Sequence, residues 1–145
     1  MKIRIWTDER YKEPEIVICA DKQTEYINRI KDTIMHALNT TITGYSRDVA
    51  QTLFCDDIIR IYAEKDRVLA ECSSGIYTMK EKLYELEEIL DKNCFVRISR
   101  SEIINIKQVN KLDTSLTGTI KVYLEGGIIT YVSRRNVSKI KNILK

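Results

Sequence analysis

The sequence predicts an α+β protein in which short strands outnumber helices, with a small β-β-α extension ahead of the main domain. Three observations predict it. Apolar and polar residues alternate in many short runs bounded by turn residues, as in Ile58–Glu64, Arg67–Cys72 and Ile120–Leu124. A helical period shows in only three segments, carried by Ile27/Ile30/Ile34/Leu38, Leu83/Leu86/Leu90 and Val137/Ile140/Leu144. At 145 residues, 43% hydrophobic and 31% charged, the chain suits one globular domain with an extension, divided at 1–42 and 43–145.

In chain order, Lys2–Thr7 alternates with Ile3 and Ile5 on one face, and Glu15–Ala20 is an apolar run after Pro14. Both read as strands joined through Tyr11–Pro14. A helix follows over Thr24–Leu38, opened by Asp21, Gln23 or Thr24 and ended at Asn39-Thr40. From Thr41 the texture is β: Thr41–Asp48 as strand or turn, a less regular Val49–Phe54, then Ile58–Glu64 and Arg67–Cys72 joined tightly by Lys65-Asp66. Ser73-Ser74-Gly75 is a turn before Ile76–Thr78. Met79–Leu90 is the clearest helix, with Met79, Leu83, Leu86 and Leu90 on one stripe and Glu/Lys opposite, a pattern of core packing rather than of a partner helix. Ile103–Val109 is extended, Leu116–Leu124 alternates, Gly126-Gly127 supplies a hairpin turn, and Ile128–Val132 returns. Asn136–Leu144 closes the chain as a short helix with Leu144 facing inward.

The most informative stretch is Phe95–Asn105. Its alternation breaks in the middle, so Arg97–Ser101 reads as a turn or loop between buried flanks. A cationic, hydroxyl-rich loop on a rigid frame suits an anionic backbone better than catalysis. Charge is distributed accordingly. The chain carries +3, but residues 94–145 hold ten Lys/Arg against three Asp/Glu, a net +7, while residues 1–93 hold fourteen against eighteen, a net −4. Such asymmetry points to a polyanion partner, against the plainer reading of a solvated basic face. A second cluster, Ser133-Arg134-Arg135-Asn136, can reach phosphates or base edges, unless Ser133 or Asn136 only caps the last helix. Lys139, Lys141 and Lys145 extend the positive field.

Other classes lack their residues. No phosphate-binding glycine loop and no H-E-x-x-H occurs. Asp56-Asp57 and Glu87-Glu88 are adjacent pairs whose side chains diverge, and Asp56-Asp57 marks a loop before a strand. Asp8-Glu9 after a strand is like the acidic pocket of a phospho-receiver, but too few βα units follow. His36, the single histidine, sits near a helix C-terminus, where the dipole accounts for it. The cysteines Cys19, Cys55, Cys72 and Cys94 form no metal-type pair, so no metal or cofactor is expected and the thiols are expected reduced. Cys94, next to the basic loop, becomes redox-sensitive only if arginines lower its pKa, and the plainer reading is a small core hydrophobe. With no ~20-residue apolar run and no signal-peptide block, the expected location is the cytoplasm.

The blocks Asp57–Glu64, Leu83–Glu87, Phe95-Val96-Arg97-Ile98-Ser99-Arg100-Ser101, Ile103-Ile104-Asn105 and Val132-Ser133-Arg134-Arg135 resemble the LytTR family of bacterial DNA-binding domains, in the family's order from about Thr43 to Lys145. The resemblance implies a mostly antiparallel β-fold with few helices, in transcription regulators that read double-stranded DNA through loops. Here those loops correspond to Glu64–Arg67, Ser99–Ser101 and Arg134–Asn136. Arg100, Arg134 and Arg135 are the foremost candidates for DNA contacts, followed by Arg67, Ser99 and Asn136. Arg97 ranks lower, because strand alternation sends its stem under the loop. Many relatives carry a receiver domain where this chain has about forty residues. The resemblance therefore implies a stand-alone regulator, a homodimer on paired sites, restrained by a membrane-protein partner. The rival readings are a protein-interaction module with a basic surface and no specific DNA recognition, and a small enzyme for which no catalytic constellation can be assembled.

Overall fold

The computed structural model describes residues 1–38 and 40–143. They fall into two compact units, Met1–Leu38 and Asn39–Lys145. Asn39 (expected to end the first helix), Leu144 and Lys145 lie outside the described residues.

In the first unit the regular element is α1 (Glu25–Leu38). Thr24 opens it: its Oγ1 accepts the Ile27 N–H at 3.3 Å and its carbonyl the Asn28 N–H at 3.0 Å. The strands expected over 2–7 and 15–20 do not form, so the β-β-α extension is corrected to an irregular segment and one helix. Alternation supplies a strand with a face but not with a partner. Neither run pairs with the other, and a lone two-stranded ribbon is marginal in water.

The second unit is mostly antiparallel β. Its strands are β1 (Thr41–Ser46), β2 (Val49–Phe54), β3 (Ile58–Glu64), β4 (Arg67–Cys72), β5 (Gly75–Met79), β6 (Phe95–Ser99), β7 (Glu102–Asn105), β8 (Val109–Asp113), β9 (Ile120–Leu124) and β10 (Ile128–Val132). The helices are α2 (Leu83–Ile89) and α3 (Val137–Ile143). A seven-stranded sheet runs β2-β1-β5-β4-β3-β7-β6, and a three-stranded one β10-β9-β8. Two-residue turns close the hairpins. Arg47 and Asp48, both at positive φ (50° and 64°), join β1 to β2, and Lys65-Asp66 joins β3 to β4. Gly44 lets β1 approach closely: a Cβ there would sit 2.6 Å from Leu53 Cδ1 and 2.8 Å from Tyr77 Cβ.

Two of the expected elements are shorter. The α2 helix starts at Leu83, because Met79 is already the last residue of β5, paired with Val68 and buried. The stripe survives where it matters: Leu83, Leu86 and Leu90 are buried with Ile58, Ile61, Ala70 and Ile103 on one face of the large sheet. The expected loop Arg97–Ser101 shrinks to Arg100-Ser101, since Ser99 still pairs with Glu102. Arg97 is therefore a strand residue.

The break in alternation has a physical cause. Ile59, Val96, Ile98 and Ile104, on the opposite face, pack with Ile120, Val122, Leu124, Val132 and Ile140 of the small sheet and α3. All four residues of β7 are consequently buried, and a strand covered on both faces loses its period of two. Its two polar ends are satisfied. Glu102 accepts from Arg60 Nη1 (3.2 Å) and from Thr130 Oγ1 (2.5 Å), while Arg60 Nε donates to Glu71 at 2.7 Å. Asn105, with no exposed surface, donates to the Ile58 and Cys55 carbonyls (2.8 and 3.4 Å) and accepts the Lys107 N–H at 3.0 Å. Among the described residues no helix is long and apolar enough to cross a membrane.

Candidate nucleic-acid interface

The register of the large sheet gathers several turns at one end. Tyr45 pairs with Thr78, Thr78 with Leu69, Leu69 with Tyr62, Tyr62 with Glu102 and Glu102 with Ser99. Just beyond this row lie the Arg47-Asp48, Lys65-Asp66 and Arg100-Ser101 turns and the β5 exit at Lys80. At ~4.8 Å per strand, the first two turns are about three strand spacings apart and the last two about two.

Backbone hydrogen bonds tie these turns to the third predicted loop. The Ala63 N–H donates to the Ser101 carbonyl (2.8 Å), and the Ser133 N–H donates to the Ile98 carbonyl (2.8 Å). The β3–β4, β6–β7 and β10–α3 connections are thus held side by side by the frame itself.

Of the candidate residues, Arg67, Arg100, Arg134 and Arg135 are exposed, and none of these guanidiniums has a hydrogen-bond or ion-pair partner among the described residues. Arg134 runs along the β8–β9 loop, where a Cβ on Gly118 would lie 3.3 Å from its Nε. Ser99 is committed locally: its Oγ accepts the Ser101 N–H at 3.2 Å. Asn136 donates from Nδ2 to Ser133 Oγ at 2.7 Å, and its Oδ1 has no hydrogen-bond partner among the described residues. Ser133 is not the simple cap considered from sequence, because it makes no side-chain cap hydrogen bond and a 3-10 turn, Arg134–Asn136, leads into α3.

The sequence reading missed Arg47 and Lys80, which sit far from the other candidates in the chain and reach the same sheet end as Lys65 only through register. Lys80 lies with its Nζ 4.5 Å from the centre of the Tyr45 ring, tying the β5 exit to β1. Asp48, Glu64 and Asp66 temper the field on this side, so its most positive part is the stretch from Arg100 to Arg135. The redox expectation for Cys94 is corrected. It precedes β6, at the strand end away from Arg100, and its Sγ donates to Asp91 Oδ2 at 3.6 Å. Burial raises its pKa, with Asp91 adding to the effect and Lys107 only partly opposing it. Cys55 and Cys72 are pushed further, to about 11, chiefly by burial.

Comparison with known proteins agrees with this architecture. The family model of the LytTr DNA-binding domain matches residues 50–145. Proteins named uncharacterised HTH-type transcriptional regulators, from Staphylococcus aureus strains MSSA476 and MRSA252, are 32% identical over 149 aligned positions, covering 99% of this chain and 98% of theirs. The LytTr DNA-binding domain of a Bacillus cereus protein described as a methyl-accepting/DNA response regulator has the same fold, with a TM-score of 0.69 at 21% identity, over 72% of this chain and 96% of that one. Whatever "HTH-type" denotes in the relatives, among the described residues here no two α-helices follow one another in chain order.

Proposed function

This chain belongs to the LytTR family of DNA-binding domains, and on that premise we propose that it is a sequence-specific transcriptional regulator that reads double-stranded DNA through its turns rather than through a helix. Support comes from one observation above all: the backbone ties Ala63–Ser101 and Ile98–Ser133 hold three connections together, and these carry the exposed guanidiniums of Arg67, Arg100, Arg134 and Arg135, which have no partner among the described residues. Arginine's planar fork matches both phosphate oxygens and the O6/N7 edge of guanine. Arg100 and Arg135 are the base-reading candidates. Arg67 and Arg134 supply backbone contacts, Asn136 offers its Oδ1 to a base amine, and Ser99 shapes the turn. The division at 1–42 and 43–145 and a cytoplasmic setting belong to the same reading. A pair of such domains on paired sites accounts for specificity, since one small module spans few bases.

The test is enrichment of genomic DNA fragments by the purified protein at fixed salt, with Arg100→Ala/Arg135→Ala beside wild type. One motif enriched by wild type alone supports the reading, and its half-site spacing reports the dimer. Equal, weak retention of all fragments by both proteins refutes specific recognition and leaves a basic interaction module.

A further inference from the structure

One arginine near the interface is not exposed to DNA in the same way. We propose that Arg97 is a positioning residue that aims Arg100 by gripping the backbone of the β6–β7 turn, with Glu87 of α2 steadying the grip. The inference rests on the reading that this turn touches DNA.

The geometry is specific. Arg97 Nε donates to the Ser99 carbonyl at 2.9 Å, Nη2 to the Arg100 carbonyl at 2.5 Å, and Nη1 to Glu87 Oε2 at 3.0 Å. Every nitrogen of the guanidinium is therefore committed, two of them to consecutive observed turn features of the backbone. The side chain is 23% exposed, against 40% for Glu87, so the pair is partly sheltered. A two-residue turn next to an irregularity in register between Arg97 and Ser99 has few internal bonds to fix it. It is held instead from outside. Arg97 takes two carbonyls, Ala63 takes the Ser101 carbonyl, and the Ser99 hydroxyl takes the Ser101 N–H. Fixing the peptide planes on both sides of Arg100 fixes the direction in which its Cβ leaves the chain. What stays free is the Arg100 side chain itself.

Charge separates this role from that of a phosphate contact. Glu87 offsets the Arg97 charge, so Arg97 adds little to counterion release on binding. The fork matters more than the charge: a lysine ammonium cannot span two carbonyls and a carboxylate in one plane.

The experiment uses the full chain and measures affinity for the duplex enriched above and for a random duplex across a salt series. The proteins are wild type, Arg97→Lys, Arg97→Ala, Arg100→Ala, the Arg97→Lys/Arg100→Ala double variant and Glu87→Gln. For a positioning role, Arg97→Lys lowers affinity for the enriched duplex by about tenfold or more, as expected for one lost specific contact. Random-duplex binding and the salt slope stay as in wild type, and the loss vanishes in the Arg100→Ala background. Glu87→Gln gives a smaller loss with the same dependence on Arg100, and it decides the matter if Arg97 variants fail to fold. The proposal is overturned if Arg97→Lys and Arg100→Ala losses multiply. It is also overturned if Arg97→Lys binds as wild type while Arg97→Ala lowers the salt slope by about one on every sequence, the mark of a phosphate contact. Wild-type binding by Arg100→Ala takes Arg100 out of the interface and overturns the aiming role. The grip then stands or falls on amide exchange at Arg100 and Ser101, which accelerates in Arg97→Lys if it is real and is unchanged if not.

Discussion

Replacing Asn105 is the sharpest probe of how the frame is held. Its side chain is completely buried and makes three hydrogen bonds, to the Ile58 carbonyl (2.8 Å), the Cys55 carbonyl (3.4 Å) and the Lys107 N–H (3.0 Å). These bind the end of β7 to the start of β3 and to the 3-10 turn, Ile106–Gln108, that leads into β8. Asn105→Ala removes all three. An orphaned buried polar group costs about 1–3 kcal/mol. The 3.4 Å contact is too long to count fully, and Lys107 is exposed enough for water to reach its amide. The expected loss is therefore about 2–4 kcal/mol including the small cavity, a large share of the ~5–15 kcal/mol that holds a domain of this size. Asn105→Asp keeps the acceptor for Lys107 but turns a second oxygen toward the Ile58 carbonyl. Its carboxyl is then favoured in the protonated form, so its folded-state pKa is raised, and the variant's deficit is largest at neutral pH and shrinks as pH falls through that pKa. Urea denaturation at pH 7 and pH 4.5, with the slope checked for two-state behaviour, measures both. A loss below about 0.5 kcal/mol for Asn105→Ala, or Asn105→Asp as stable as wild type at pH 7, would refute the argument.

Three further outcomes follow from the geometry. Arg47→Ala is expected to lower the salt slope of DNA binding by about one, equally on all sequences; a loss confined to one motif would make it a base contact, and no change would take the β1–β2 turn out of the interface. Cys55 and Cys72 hold their protons up to about pH 11 when folded but ionise near 9.0 when unfolded, so their contribution is fully present below pH 9 and is lost between 9 and 11. Denaturation in that window is expected to be steeper in pH for wild type than for Cys55→Val/Cys72→Val, and identical slopes would contradict the burial effect. Gly44→Ala forces Leu53 and Tyr77 apart and is expected to cost about 1–3 kcal/mol; an unchanged melting temperature would mean that β1 can shift at no cost.

Much of the candidate site is legible in the sequence. Arg100, Arg134 and Arg135 stand out because basic residues cluster there beside few acids, and β9 and β10 because each keeps one wetter face that preserves a period of two. Where both faces are covered, as in β7, the same period disappears; the run still reads as extended from Ile103, and the sheet moves its start to Glu102. The helix before β6 was drawn one turn too long because Met79 fits a helical stripe as well as a strand end, and only pairing with Val68 decides between them.

The sequence by itself determined which residues can bury and which carry unopposed charge, since hydrophobic patterning and composition are properties of the chain. Tertiary structure decided which strands found partners. Residues 2–7 alternate as well as 58–64 do, yet only the latter gained neighbours to complete their hydrogen bonds. It also decided which arginine is held by hydrogen bonds and which is left exposed. Arg97 and Arg100 are three residues apart and chemically identical, and the carbonyls and the Glu87 carboxylate around Arg97 are what separate them.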